Sequence, residues 1–129
     1  MDYEDNVYDQ DQDSNTEEVL DIYQIREKFL DDYLDSIITV YDRLYRSFPY
    51  IFIYGNSYKL TEFLLHCYGL NNINYKKYSK EFKDNYKEEL ENSFYITSTY
   101  LISSKRYYKT LPRPILNYDT WCDFCFNIM

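Results

Sequence analysis

Apolar residues recur at steps of three and four through the first third of the chain. They are Val19, Ile22, Tyr23, Leu30, Tyr33, Leu34, Ile37, Val40, Tyr41, Leu44, Tyr45 and Phe48. This spacing places them on one face of an α-helix, which we predict near residues 16–47. Ser14 with Glu17 fits a capping box at its start, and Pro49 ends the helix because proline has no amide to donate. A break near Asp31 would instead give two consecutive helices.

The rest of the chain predicts three more helices. The first lies near residues 57–68, and Gly69 stands where a glycine commonly ends a helix. Its inner stripe consists of Leu60, Phe63, Leu64 and Cys67. A second long helix is predicted near 77–108, and its second half turns apolar and small, as in the central, most buried segment of a bundle. A linker with two prolines at 111–114 precedes a last helix near 118–127.

These patterns predict an all-α protein. We expect a compact helical bundle with two long helices, forming a single domain over residues 16–129. Residues 1–15 are polar and rich in aspartate, which predicts a disordered acidic N-terminal tail. This N-terminus does not resemble a secretory signal, and no apolar stretch is long enough to span a membrane. The expected location is therefore the cytoplasm.

Charge is divided unevenly along the chain, whose net value is −8. Residues 1–35 carry 13 acidic and 2 basic residues, whereas the remainder carries 9 acidic and 12 basic ones. Such an acidic head disfavours nucleic acid as a partner and favours either a basic protein partner or a tail that shields the rest of the chain. Lysines at 76–87, with tyrosines nearby, could contact RNA, but interleaved acids favour an ion-paired, solvated face.

The candidate chemical groups do not form a catalytic or metal-binding pattern. Cys122 and Cys125 make a CxxC pair inside the last predicted helix, with no preceding strand–helix unit of a redox fold. His66 and Cys67 are adjacent on one helix, so they cannot easily reach one metal together or act across a cleft. We therefore expect no enzymatic activity, no metal and no cofactor, with the cysteines serving as buried small residues.

The segment after Pro49 is the predicted partner-binding site. Tyr50, Phe52 and Tyr54 are concentrated in a short run that interrupts the helical pattern, and aromatic side chains are enriched at protein interfaces. The alternative is a buried connection packed under the long helices. Periodicity does not separate these two interpretations.

In layout, the chain resembles the poxvirus Bcl-like family of small all-helical inhibitors of host defence. The resemblance lies in its length, a helix at 26–35, a central segment of small and apolar residues at 91–108 that ends in aromatics, and a short hydrophobic terminal helix at 116–128. It implies a viral protein that binds and sequesters an apoptotic or innate-immune signalling protein of the host, without a cofactor and often as a homodimer.

The residue composition agrees with a viral origin. The chain has 18 tyrosines, 2 glycines and no alanine, a usage expected from an A/T-rich genome, as in many large DNA viruses, some phages, ciliates and protozoa. Two other functions remain open at this point. One is an acidic anti-defence protein that blocks a nucleic-acid-binding enzyme by mimicking its substrate. The other is a small structural subunit of a virion or an organellar assembly.

Overall fold

The computed structural model describes residues 22–52, 57–107 and 113–129, and every regular element within them is a helix. These are α1 (Ile22–Ser47), α2 (Ser57–Cys67), α3 (Lys80–Asn85), α4 (Lys87–Tyr107) and α5 (Tyr118–Ile128). The predicted all-α bundle with two long helices is thus confirmed, with α1 and α4 as the long ones. The predicted tail at 1–15 and the predicted helix start at residue 16 lie outside the described residues.

Helix α1 runs without interruption to Ser47, so the alternative of a break near Asp31 is wrong. Its buried side chains follow one stripe, formed by Phe29, Tyr33, Ile37, Leu44 and Phe48. This stripe packs against α2 and α4. The helix ends just before Pro49, as predicted, and a turn follows in which Phe52 N–H donates to Phe48 O at 3.0 Å.

Gly69 ends α2 in the way the sequence predicts. Its φ of +74° lies in the left-handed region that glycine adopts without strain. Gly69 N–H donates to His66 O at 3.0 Å, and Leu70 N–H donates to Leu65 O at 2.9 Å. This pair of bonds is a Schellman motif, which satisfies the last carbonyls of the helix.

The second long helix differs from the prediction of one element near 77–108. It begins at Lys80, because Ser79 caps it by accepting a hydrogen bond from Phe82 N–H at 3.1 Å. It is then divided at Tyr86, whose φ of −123° and ψ of 27° are not helical. A short α3 therefore precedes α4.

Side chains of α5 bind the non-helical residues 76–78 that precede α3. Asp123 accepts hydrogen bonds from Tyr78 N–H at 3.1 Å and from Lys77 Nζ at 3.3 Å. Asn127 accepts from Lys76 N–H at 3.2 Å and donates to Lys76 O at 2.9 Å. Backbone groups of Lys76 and Tyr78 are thus satisfied by side chains of α5.

Within the described residues the longest buried run lies in α5, and not in the second half of α4 as the sequence predicted. All five consecutive residues 121–125 are buried, and the Phe124 ring stacks on Phe63 of α2 at 4.4 Å. In α4 only one face is covered, since Tyr95 and Ile102 are 71% and 65% exposed. The small residues of α4 instead allow α5 to approach closely, and Trp121 Nε1 donates to Ser93 Oγ at 2.9 Å.

Candidate protein-binding face

A row of apolar side chains lies on the surface of α1. Leu34, Ile38 and Tyr45 are 48%, 46% and 44% exposed, and Tyr41 between them is half-buried. Their spacing of four, three and four residues puts them next to one another on the helix. We call these four residues the α1 outer face.

The α1 outer face is distinct from the stripe that α1 buries. With 3.6 residues per turn, the outer face lies about a quarter turn around the helix from the stripe of Phe29, Ile37 and Leu44. Helix α1 is therefore apolar over two adjacent faces, of which the bundle covers one. A surface helix usually carries one apolar stripe, so the second one requires an explanation.

The outer face is connected to the core through Tyr41. The Tyr41 ring stacks on Tyr45 at 6.3 Å and meets Phe52 edge-on at 6.3 Å, and Phe52 in turn contacts Trp121. The Tyr41 hydroxyl donates to Phe52 O at 3.4 Å. Burial raises the pKa of Tyr41, so the hydroxyl stays protonated as a donor near neutral pH. The C-terminal half of the face is thus held in place by the core.

Acidic side chains extend from the N-terminal end of the outer face, on the solvent side of α1. Glu27, Asp31 and Asp35 are exposed and follow one another at steps of four residues. We call them the acidic row. Among the described residues none of the three forms a salt bridge, whereas Asp42, further along the helix, is paired with Arg46 at 3.1 Å. Like charges at this spacing repel, so the row destabilises α1 slightly.

An open groove between α1 and α4 lies beyond the acidic row. Its volume is about 420 Å³, and Asp35 stands at its edge. The residues that line it are Tyr33, Asp35, Ser36, Thr39, Val40, Tyr100, Ser103 and Ser104. Tyr33 closes the floor by donating to Ser104 O at 3.0 Å. Burial raises the pKa of Tyr100 to about 12, so this hydroxyl supplies no base near neutral pH.

The structure separates the three residues of the predicted partner-binding segment. Tyr50 is 71% exposed, Phe52 is completely buried against Tyr41 and Trp121, and Tyr54 lies outside the described residues. In this structure Phe52 has no surface with which to contact a partner, as in the alternative of a buried connection. The binding role of Tyr50 and Tyr54 stays a prediction.

The sequence pattern contained a signal for the outer face that a single-face interpretation misses. That interpretation places Leu34 and Tyr45 on the same face as the buried residues and leaves Ile38 out. The signal is a series of adjacent apolar pairs, at 33–34, 37–38, 40–41 and 44–45. Adjacent residues on a helix point about 100° apart, so repeated pairs indicate two apolar faces.

The three cysteines are free and buried. Burial raises the pKa of Cys67 to about 12 and also raises those of Cys122 and Cys125, which opposes formation of a reactive thiolate. In the described part of the chain no group of three or more His, Cys, Asp or Glu side chains is placed to hold a metal ion. His66 Nδ1 lies 3.0 Å from Asn71 O, close to the end of α2.

The lysines of 76–87 make local contacts. Lys77 pairs with Asp123 at 3.3 Å, and Lys80 pairs with Asp84 at 2.8 Å. Lys83 lies over the Tyr118 ring, with Nζ 5.2 Å from its centroid. These contacts favour the interpretation of a solvated, ion-paired face over that of an RNA-binding surface.

No helix in the ranges that the structure describes has the length and apolar character needed to cross a membrane. Neither a family model, nor a curated protein, nor a solved structure matches the chain. The resemblance to the poxvirus Bcl-like family therefore stays a prediction.

Proposed function

We propose that this chain is a non-enzymatic protein whose function is to bind another protein through the α1 outer face. The observation that carries the proposal is the second apolar stripe of α1, in which Leu34, Ile38 and Tyr45 are exposed and Tyr41 is half-buried. Single exposed apolar residues are common on protein surfaces, but a contiguous row of large ones is typical of interaction sites.

The energetics support a binding role for this row. Covering a large apolar side chain that was exposed contributes roughly 1.5–3 kcal/mol, and Leu34, Ile38 and Tyr45 are each still about half exposed. A partner helix laid along the row would cover all three at once. Because Tyr41 is already held against Phe52, part of the face is ordered before binding, which lowers the entropic cost.

The narrower role that we propose is that of a viral inhibitor acting in the host cytoplasm, where it sequesters an apoptotic or innate-immune signalling protein. Its support is the layout shared with the poxvirus Bcl-like family and the composition expected of an A/T-rich genome. A signalling protein is therefore the first class of partner to test.

The test compares proteins retained from a host-cell lysate by the tagged chain and by two variants. One variant carries Leu34→Ser and Ile38→Ser in the outer face. The matched control carries Tyr95→Ser and Ile102→Ser on α4, where both residues are at least as exposed. We expect at least one protein to be retained by the wild type and the control and lost with the α1 variant. Unfolding temperatures should be nearly equal, since surface substitutions change stability little.

Quantitative mass spectrometry identifies the protein that is lost. A signalling protein supports the inhibitor role, whereas a nucleic-acid enzyme or the subunits of an assembly would select one of the two other functions. If both variants retain the same set as the wild type, the α1 outer face is not the binding site and the proposal is wrong.

A further inference from the structure

We propose that the partner of the α1 outer face is an amphipathic helix with a basic edge, contributed by another protein. This inference rests on the proposed protein-binding function and names the chemistry of the partner. It combines the exposed apolar row with the acidic row that extends from its N-terminal end.

The shape of the outer face fits a helix. Leu34, Ile38 and Tyr45 are spaced as the exposed ridge of a straight helix, and the row spans roughly 16 Å along the axis at 1.5 Å per residue. A second helix that packs alongside buries such a ridge between its own apolar residues, which recur at steps of three and four residues. About three helical turns of a partner cover the row.

The negative charge of the acidic row indicates which charge the edge of the partner helix should carry. Glu27, Asp31 and Asp35 repel one another along the helix, and none of them is in a salt bridge within the described residues. Lysine or arginine side chains on a docked helix would lie between these carboxylates and remove the repulsion. Complementary charge of this kind increases the association rate and excludes helices with an acidic edge.

A second copy of this chain is a poorer occupant. In a two-fold antiparallel pairing of α1 with itself, the same edge of each helix meets its symmetry mate. With the two-fold axis at the centre of the outer face, residues 27–35 of each copy would lie along residues 44–52 of the other, where Arg46 is already paired with Asp42 at 3.1 Å. These residues of a second copy would therefore bring no unpaired cation to the acidic row.

The residues that precede α1 are also a poor occupant by charge. Residues 1–21 carry nine acidic residues and no basic one. Covering the outer face with this segment would add negative charge to the acidic row. A basic helix from a different protein is thus the occupant that satisfies both the apolar row and the charge.

The experiment uses three fluorescent peptides of about 16 residues, long enough to cover the row. The first has leucines at helical spacing and lysines along both edges, and the second has glutamates in place of the lysines. The third has the composition of the first in scrambled order. Fluorescence anisotropy with the full-length chain measures their affinities. We expect the lysine peptide to bind at least about tenfold more tightly than the other two, and more weakly as salt is raised.

Three variants assign this binding to the surface. Leu34→Ser with Ile38→Ser should abolish binding of the lysine peptide, while Tyr95→Ser with Ile102→Ser should leave it unchanged. Glu27→Gln, Asp31→Asn and Asp35→Asn together should remove the preference for lysine over glutamate but keep the dependence on leucine spacing. These amides keep the size of the side chains and delete only their charge.

The outcomes separate this inference from the proposed function. If lysine and glutamate peptides bind equally and both require Leu34 and Ile38, the face binds proteins but the basic partner is wrong. The face binds proteins but the basic partner is also wrong if no peptide binds while retention of a lysate protein still requires Leu34 and Ile38. A dimer in sedimentation that Ile38→Ser dissociates would assign the face to a second copy and overturn the inference. The inference is also overturned if the scrambled peptide binds as tightly as the lysine peptide.

Discussion

Trp121 on α5 and Ser93 on α4 are both completely buried and are joined by a hydrogen bond of 2.9 Å from the indole nitrogen to Ser93 Oγ. Ser93 in turn donates to Leu90 O at 3.2 Å. The polar edge of the chain's single tryptophan is thus satisfied inside the core by a residue small enough to let α5 approach α4.

Removing this acceptor should destabilise the protein more than its size suggests. Ser93→Ala leaves the Trp121 N–H buried without an acceptor, and we expect the free energy of unfolding to fall by about 1–3 kcal/mol. The control is Asn92→Ala at the neighbouring exposed position, where a change within about 0.5 kcal/mol is expected. Urea denaturation followed by the fluorescence of Trp121 measures both. Equal losses in the two variants would contradict the role of the bond.

A second prediction concerns Asp123, which binds the residues before α3 to α5. Asp123→Ala removes the acceptor of Tyr78 N–H and should lower the free energy of unfolding by about 1–3 kcal/mol. Lys77→Ala removes only the ion pair, whose lysine is 88% exposed, and should cost less than about 0.5 kcal/mol. Asp123→Asn keeps one oxygen acceptor and should lie between them. A loss on Lys77→Ala as large as that on Asp123→Ala would assign the stabilisation to the charge.

These contacts also mark where sequence reasoning reaches its limit. Local pattern was sufficient for the end of α1 at Pro49 and for the Schellman motif at Gly69, because both depend on residues close in the chain. Ser79 caps α3 locally, but the hydrogen bonds from residues 77 and 78 to Asp123 join positions about 45 residues apart, which periodicity near Lys77 does not contain. The burial of α5 likewise depends on Phe63 and Trp121 meeting across the bundle at 5.7 Å.

In the candidate site, too, some features follow from the local sequence and others depend on distant parts of the chain. The apolar positions of α1 are visible in the sequence, but which of them the bundle covers depends on where α2 and α4 lie. Leu34 and Ile37 look equivalent by hydrophobicity, yet Leu34 is 48% exposed and Ile37 is fully buried. The composition of the 50–54 segment likewise gave no indication that Phe52 would pack on Trp121 while Tyr50 faces solvent.

A third prediction is a loss of stability in alkali. Burial raises the pKa of Cys67 from its ordinary value of 9.0 to about 12 and that of Tyr100 from 10.0 to about 12. Between these values the folded state binds more protons than the unfolded state. The stabilisation is therefore complete below about pH 9 and is lost as the pH rises towards about 12.

Urea unfolding at several pH values above about 9, with a reductant present, tests this dependence. Cys67→Ala removes one of the groups and should make the fall shallower, by at most about 1.4 kcal/mol per pH unit. Tyr95→Phe removes an exposed hydroxyl on α4 and serves as the control. An unchanged slope in the Cys67 variant would show that this thiol does not contribute.

A fourth prediction concerns the N-terminal residues. Deleting residues 1–14 removes a polar segment with few apolar side chains, so we expect the melting temperature to change by less than about 3 °C. Calorimetry of the full-length and shortened chains measures the difference. A drop of several degrees would mean that the acidic segment packs on the rest of the protein, and the lysines of 76–87 would be the first surface to examine.

The last prediction separates core from interface in the segment that follows Pro49. Phe52→Ala creates a cavity beside Trp121 and should lower the free energy of unfolding by about 3–5 kcal/mol. Tyr50→Ala alters a side chain that is 71% exposed and should change it by less than about 0.5 kcal/mol. If Tyr50 belongs to the binding surface, its variant should weaken capture of the partner identified through Leu34 and Ile38 while it unfolds like the wild type. Full capture by the Tyr50 variant would confine the binding surface to α1 and would leave the segment as a connection whose role is to place Phe52 in the core.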